Sequence, residues 1–394
     1  VELVVQIDEE WQKEAVDAIA RRFEANTPGV QVDVKVMPAA EIRAALYNGE
    51  SGADIVQLTN GDIADCCKAG LVLDLRAWLD TSPALIRLFH PSVFRMIQLR
   101  ERIAVLPTHA SMKGIFYNKR WFDKAGIAYP EEGWTWEAFQ EIAVRLQRAN
   151  IEEGEQRHAA RISFHWEYIG LLLLTAGTDW LAPDRRSASG YANRPEAVRA
   201  VQWAVDLVRS RHAARATQDY FVNADFMRNE VGMMLDYYVM LHEIQPRLRE
   251  DLGVAGLPRF EGGPRLNEPW VSGFGISSAA RHPELSWALL RDITCESNEL
   301  TRLVSEGFIP ALQSVYAEVG HAEDPLRNAV LSELANSSPL PVSPGHSRLY
   351  QLLDRHVNPA LARMVMDGAD VQETLNELAA ELDVKLPAAV EAAC

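Results

Sequence analysis

Residues 1–36 read VELVVQIDEEWQKEAVDAIARRFEANTPGVQVDVKV, and the order of patterns in this stretch decides the fold class. Leu3, Val4 and Val5 are consecutive apolar residues, as in a strand buried on both faces. Trp11, Ala15, Ile19 and Phe23 then recur at four-residue spacing, the stripe of an amphipathic helix. Pro28-Gly29 stops that helix. Val30, Val32, Val34 and Val36 alternate with polar residues, the period of a strand. Strand, helix and strand in succession predict an α/β sheet with helices on its faces.

The same alternation continues outward. A helix from about Ala40 to Tyr47 ends at Asn48-Gly49, and Asp54 to Leu58 reads as the next strand. Thr59-Asn60-Gly61-Asp62 reads as a turn into a further helix ending at Gly70. Arg102 to Leu106 and Lys113 to Tyr117 are strand-like. Thr135 is placed to cap a helix over Trp136 to Arg148, and Pro195 opens another with Val198, Val201, Val205 and Val208 on one face. Arg161 to Phe164, Val231 to Leu235, Leu252 to Leu257 and Phe274 to Ser277 read as strands. Beyond Pro283 the pattern is helical, broken at Gly307 to Pro310, at Ser337 to Gly345 (read as a long surface loop) and at Gly368.

Composition narrows the function. The chain has 394 residues, enough for two or three domains, with 39 Lys plus Arg against 55 Asp plus Glu and a net charge of −16. The basic residues are interleaved with acids, which argues against nucleic acid as a partner. No apolar run approaches the length of a transmembrane helix; the best is Ile169 to Ala176. The cysteines are Cys66, Cys67, Cys295 and Cys394, with no CxxC spacing, so they read as free thiols rather than a zinc site. The chain opens at Val1 directly into a strand, and a leader removed upstream is expected, either a signal peptide or a lipoprotein leader.

Enzyme signatures are sparse. GxxxxGK[ST], GxGxxG after a strand, HExxH and GxSxG are all missing, and the histidines show no metal-ligand spacing. No cofactor, no metal site and no catalytic residue is expected.

Several segments together resemble one family. Phe23 to Val32, Gly52-Ala53-Asp54-Ile55-Val56 and Ala69-Gly70-Leu71-Val72-Leu73-Asp74-Leu75 come first. Leu106-Pro107 through Tyr117-Asn118-Lys119-Arg120-Trp121-Phe122-Asp123-Lys124-Ala125-Gly126-Ile127 follows, and then Thr135-Trp136-Glu137-Ala138-Phe139. Gly232 to Leu235, Gly253 to Pro258, Gly273 to Ser277 and Gly307-Phe308-Ile309-Pro310-Ala311 complete the order. The chain resembles the carbohydrate-binding group of extracytoplasmic solute-binding proteins that serve bacterial ABC importers. The resemblance implies the two-lobed α/β periplasmic-binding-protein fold, with a ligand cleft between the lobes and a hinge of two or three crossing strands. By analogy one lobe is residues 1–108 and 273–312, the other 112–270 and 315–394. It implies a carbohydrate ligand, probed by hinged closure and handed to a membrane-embedded ABC permease, and a monomer outside the cytoplasm, periplasmic or anchored as a surface lipoprotein. A glycan-processing enzyme, or the same fold holding a peptide, polyamine or phosphorylated solute, are the alternatives.

Sugars present hydroxyls and flat C–H faces, so acids, amides and aromatics near strand ends and crossovers are the candidates. Asp8, Glu10 and Trp11 follow the first strand, with Glu9 between them. Asn60 and Asp62 follow the third strand, and His109 and Ser111 fall at the first expected crossover. Trp166 opens a helix, with Glu167 and Tyr168 beside it, and Trp180 sits on what reads as a surface turn. Asp236, Tyr237 and Tyr238 follow Val231 to Leu235, and Trp270, Ser272 and Gly273 mark the return crossover. Trp134, Trp136, Trp203 and Trp287 read as core.

Overall fold

The computed structural model describes residues 1–152, 157–209, 213–218, 223–296, 300, 302, 307–318, 320, 323–340 and 346–391. Cys394 and part of the expected Ser337 to Gly345 loop lie outside the described residues. The strands are β1 (Glu2–Ile7), β2 (Gln31–Val36), β3 (Ile55–Thr59), β4 (Gln98–Leu99), β5 (Arg102–Ile103), β6 (Leu106–Ser111), β7 (Lys113–Asn118) and β8 (His158–Ser163). They continue with β9 (Ala214–Thr217), β10 (Val231–Tyr237), β11 (Leu252–Ala255), β12 (Leu266–Asn267), β13 (Trp270–Ile276), β14 (Ile309–Pro310) and β15 (Ser338–Pro339).

Two sheets organise the chain. The first has six strands in the order β14-β6-β13-β3-β1-β2, the second five in the order β11-β7-β10-β8-β9. β1 pairs parallel with β2 and β3, as strands joined by helices must, while β13 runs antiparallel to β3 and β6. In the second sheet β7 is antiparallel to β10 and β11, and β8 is parallel to β10 and β9. The chain leaves the first sheet through the single residue Met112, between β6 and β7, and re-enters it at Trp270.

Side-chain alternation assigns each face. Along β7, Ile115 and Tyr117 join one core and Phe116 the other; along β10, Met233 and Leu235 oppose Met234 in the same way. One core lies under helices Lys13–Asn26, Ala39–Asn48 and Asn60–Lys68. The other is closed by Trp136–Asn150, Trp166–Thr175, Pro195–Arg209, His346–Ala362 and Val371–Glu391. Helix His346–Ala362 packs against both Asn60–Lys68 and Trp166–Thr175 and so spans the two sheets.

Local chemistry explains the boundaries. The Asn118 side chain accepts from Arg120 N at 3.0 Å to start helix Lys119–Ala125, and Gly126 at φ 61° ends it. Thr135 accepts from Ala138 N at 3.1 Å to start Trp136–Asn150. Gly114 is required in β7 because a Cβ there would lie 2.2 Å from the Tyr238 hydroxyl.

Some expectations change. Asn60 is not in a turn but is the first residue of the helix, at φ 36°. Trp11 lies before helix Lys13–Asn26 rather than on its stripe, which is Val16, Ile19, Ala20 and Phe23. Trp180 is buried rather than on a surface turn, donating its indole N–H to Trp166 O at 2.9 Å. Trp136 and Trp203 do lie in the core, ring against ring at 5.0 Å. Cys66 and Cys67 are buried free thiols.

Candidate functional site

The parallel strands β1 and β3 end at the same edge of the first sheet, where the chain must turn and side chains converge. Gln57 of β3 fixes that turn. Its amide nitrogen donates to the Glu9 carboxylate and to the Ser272 hydroxyl, each at 2.9 Å, and its oxygen accepts from Asp8 N at 3.2 Å. Glu9 in turn lies 3.8 Å from Nε2 of His109 on β6. The Thr108 hydroxyl bonds the other ring nitrogen of His109 at 3.0 Å.

Several buried polar atoms here have no hydrogen-bond partner among the described residues: Asp8 Oδ1, both amide atoms of Gln12, His109 Nε2 and Ser111 Oγ. Gln12, His109 and Ser111 are almost wholly buried. Buried polar atoms are satisfied in the great majority of native structures, so these atoms call for partners beyond the protein chain, whether ordered water or a ligand. Burial, with Glu9 and Asp62 adding repulsion, pushes the Asp8 carboxyl up to about 7.

Aromatic rings cover the same edge. Trp11, 40% exposed, stacks on Phe308 at 5.8 Å, and Trp270 stacks on Phe308 at 5.5 Å. The His109 ring lies 4.5 Å from Phe308, 5.3 Å from Trp270 and 5.8 Å from Trp11. Ser111 is the register partner of Trp270, so the hydroxyl and the indole come from facing residues.

A second group forms beyond Met112. Lys113 is fully buried; its ammonium donates to Glu167 Oε1 at 2.5 Å and to the Tyr237 hydroxyl at 2.7 Å, and sits 3.9 Å from the Tyr237 ring centre. The Tyr237 hydroxyl donates to the same Glu167 oxygen. The Tyr168 hydroxyl donates to Asp236 at 3.0 Å, and Arg161 bridges Asp236 and Asp225 at 3.4 Å each. Trp166 meets Tyr350 edge to face at 5.0 Å, and its buried indole N–H has no partner among the described residues. Glu268 is partly buried; burial pushes its carboxyl up to about 7, with Lys113 pulling it down and Glu167 raising it.

Asn267, fully buried just before the return crossing, holds the start of β7 at the outgoing one. Its side chain accepts from Lys113 N at 3.3 Å and donates to Lys113 O at 2.7 Å.

Of the residues expected from sequence, Asp8, Trp11, His109, Ser111 and Trp270 come together on the first wall, and Trp166 and Tyr237 stand on the second. Others take internal roles. Asn60 accepts from Val271 N at 2.8 Å, and Asp62 is paired with Arg43 at 2.8 Å. Asp236 is fully buried against Arg161 and Tyr168, and Tyr238 is buried with its hydroxyl on Ala255 O. Ser272 is buried against Gln57. Gly273 serves strand approach at a register shift, since a Cβ there would lie 2.5 Å from Leu106 O. Glu10 is exposed, and Glu9 occupies the position against Gln57. Gln12, Lys113, Glu268, Phe308 and Tyr350 were not expected at the site. Only Phe308, beside Gly307 at a break in the helical pattern, carried a local signal.

The family model of bacterial extracellular solute-binding proteins matches residues 5–291. The fold is also that of solved binding proteins. The sugar-binding protein MalE of Xanthomonas citri superposes with a TM-score of 0.80 at 17% identity, covering 98% of each chain. An ABC substrate-binding protein of Listeria monocytogenes, solved with cycloalternan, gives 0.78 at 15% identity over 98% of this chain and 99% of its own. UgpB of Mycobacterium tuberculosis, solved with glycerophosphocholine, gives 0.77 at 17% identity over 99% of each. The chain therefore has the two-lobed α/β architecture of periplasmic solute-binding proteins. Among the described residues no helix is long and apolar enough to cross a membrane.

Proposed function

Starting from the fact that this chain belongs to the bacterial extracellular solute-binding proteins, we propose that it captures a saccharide between its two walls and delivers it to a membrane-embedded ABC permease. One observation carries the reading. Unpartnered buried polar atoms on Asp8, Gln12, His109, Ser111 and Trp166 accompany the faces of Trp11 and Trp270. Hydroxyls need such donors and acceptors, and the C–H faces of a pyranose need flat apolar platforms. The sugar-binding neighbour and the one solved with cycloalternan support the same ligand class.

The lobes are residues 1–108 with 273–312, and 112–270 with 315–394; sheet membership supports that division, with the crossings at Met112 and Trp270 refining its edges. Ligand that touches both walls only when they approach shifts the population toward the closed form. The ligand leaves chemically unchanged, and the protein works as a monomer outside the cytoplasm.

A thermal-shift panel of mono- and oligosaccharides, with amino acids, polyamines and peptides as controls, tests this. A saccharide at about 100 times its dissociation constant adds about 2.7 kcal/mol. Stabilisation by one saccharide class, with the sugar recovered intact by chromatography, is the expected result. Stabilisation by a control alone overturns the ligand class, and conversion of the sugar overturns the transport role.

A further inference from the structure

On both walls, among the described residues, the cations are paired while one carboxyl is not. The cations near them are already held by carboxylates of the protein: Lys113 by Glu167 at 2.5 Å, Arg43 by Asp62 at 2.8 Å and Arg185 by Asp179 at 2.8 Å. Arg161 lies between Asp225 and Asp236. Asp8 and Glu268, one on each wall, have no ion-pair partner among the described residues. Asp8 sits beside Glu9 and feels Asp62. Glu268 feels Glu167 and Asp179 as well as Lys113 and Arg185. The exposed Arg348 acts on Tyr47. Both carboxyls titrate near 7 because burial disfavours their charged form.

A ligand's charge meets these groups before anything else does. An anionic group would bring a third negative charge to carboxyls that are already reluctant to ionise, with no ammonium or guanidinium paired to them among the described residues. A hydroxyl donates to either carboxyl in its charged form and accepts from it in its protonated form. An ammonium would hold both carboxyls ionised, and the indole faces of Trp11 and Trp270 turned away from Phe308 attract cations. The imbalance is thus a barrier against one ligand class and neutral or favourable to the other two, which is how specificity by repulsion works.

We propose that the site selects its saccharide by charge, accepting neutral and amine-bearing sugars and rejecting those that carry carboxylate, sulfate or phosphate. The proposal rests on the saccharide reading above. It also separates this chain from the neighbour solved with a phosphodiester ligand.

The test is calorimetry with matched probes in about 0.15 M salt. The probes are the neutral tetramers of glucose in α-1,4 and β-1,4 linkage and of xylose, the glucosamine tetramer, the galacturonic acid tetramer, glucose 6-phosphate and glycerophosphocholine. The expected result is that the best neutral or amine probe binds at least about tenfold more tightly than any anionic one. Raising the salt narrows that gap, and an Asp8→Asn, Glu268→Gln double variant narrows it at least about threefold; the salt series reads the same quantity without any substitution. An anionic saccharide that binds as tightly as the neutral ones, or a gap indifferent to both salt and the double variant, overturns charge selection and leaves the saccharide reading standing. Binding of glycerophosphocholine with no binding of any saccharide overturns both.

Discussion

Replacing Lys113 with methionine tests whether the second wall is built as described. The ammonium is fully buried and is shared between Glu167 at 2.5 Å and the Tyr237 hydroxyl at 2.7 Å. Methionine keeps most of the apolar stem, so packing loss is small, under about 1.5 kcal/mol for such a swap. The electrostatic loss is larger, because the buried Glu167 carboxylate loses the ammonium that lies against it. Breaking a buried pair on one side costs about 3–5 kcal/mol. The Tyr237 hydroxyl still donates to Glu167 and offsets part of that. We therefore expect Lys113→Met to cost about 3 kcal/mol near neutral pH. Adding Glu167→Gln should recover most of the loss, since removing both charges is often close to neutral. The assay is urea unfolding of the wild type, both single variants and the double variant, read as midpoint shifts at constant slope. A Lys113→Met loss below about 1 kcal/mol, or a double variant that costs the sum of the singles, would refute the buried-pair account.

Three further outcomes follow from single groups. Asp8 has a folded pKa of about 7, raised from 3.8, so its contribution to stability is present in acid and lost as pH rises from about 4 through 7. Asp8→Asn should be more stable than wild type near pH 8, by on the order of 2 kcal/mol, with the gain gone near pH 4; an equal gain at both pH values contradicts the burial effect. Cys66 is buried and its thiol is pushed up to about 12, so an aqueous thiol reagent should leave it unmodified until the protein unfolds, and rapid labelling of the native protein would contradict its placement. Gly114→Ala should destabilise by about 1–3 kcal/mol, because its Cβ would meet the buried Tyr238 ring, and an unchanged urea midpoint would show that the ring can move aside.

How much the sequence told depends on how far apart the cooperating residues are. The first strand, helix and second strand are legible from periods of two and four in residues 1–36, and the structure builds β1, Lys13–Asn26 and β2 there. The cap at Thr135 is legible for the same reason, since it acts on a residue three positions away. The site is legible only where a strand end or a crossover announces it, as at Asp8, His109 and Trp270. Lys113 was invisible because a lysine at the head of a strand reads as solvent-facing, and the groups that permit its burial lie 54 and 124 residues away. Asp236 failed in the opposite sense. It looked like an open carboxylate after an apolar run, but β10 extends through Tyr237 and Arg161, 75 residues earlier, claims it. Asn60-Gly61 carried turn chemistry, yet the Asn60 side chain is used to hold Val271, on a strand 211 residues away.

The most direct test of the central claim is a calorimetric titration of the best saccharide probe into the wild type and into a Trp11→Ala, Trp270→Ala double variant. The account predicts micromolar binding, about −8 kcal/mol, by the wild type. It predicts binding at least about a hundredfold weaker by the double variant, with unchanged circular dichroism, since each lost platform removes about 1.4 kcal/mol. Equal affinity for both proteins would contradict it and move the saccharide away from the wall formed by Trp11 and Trp270.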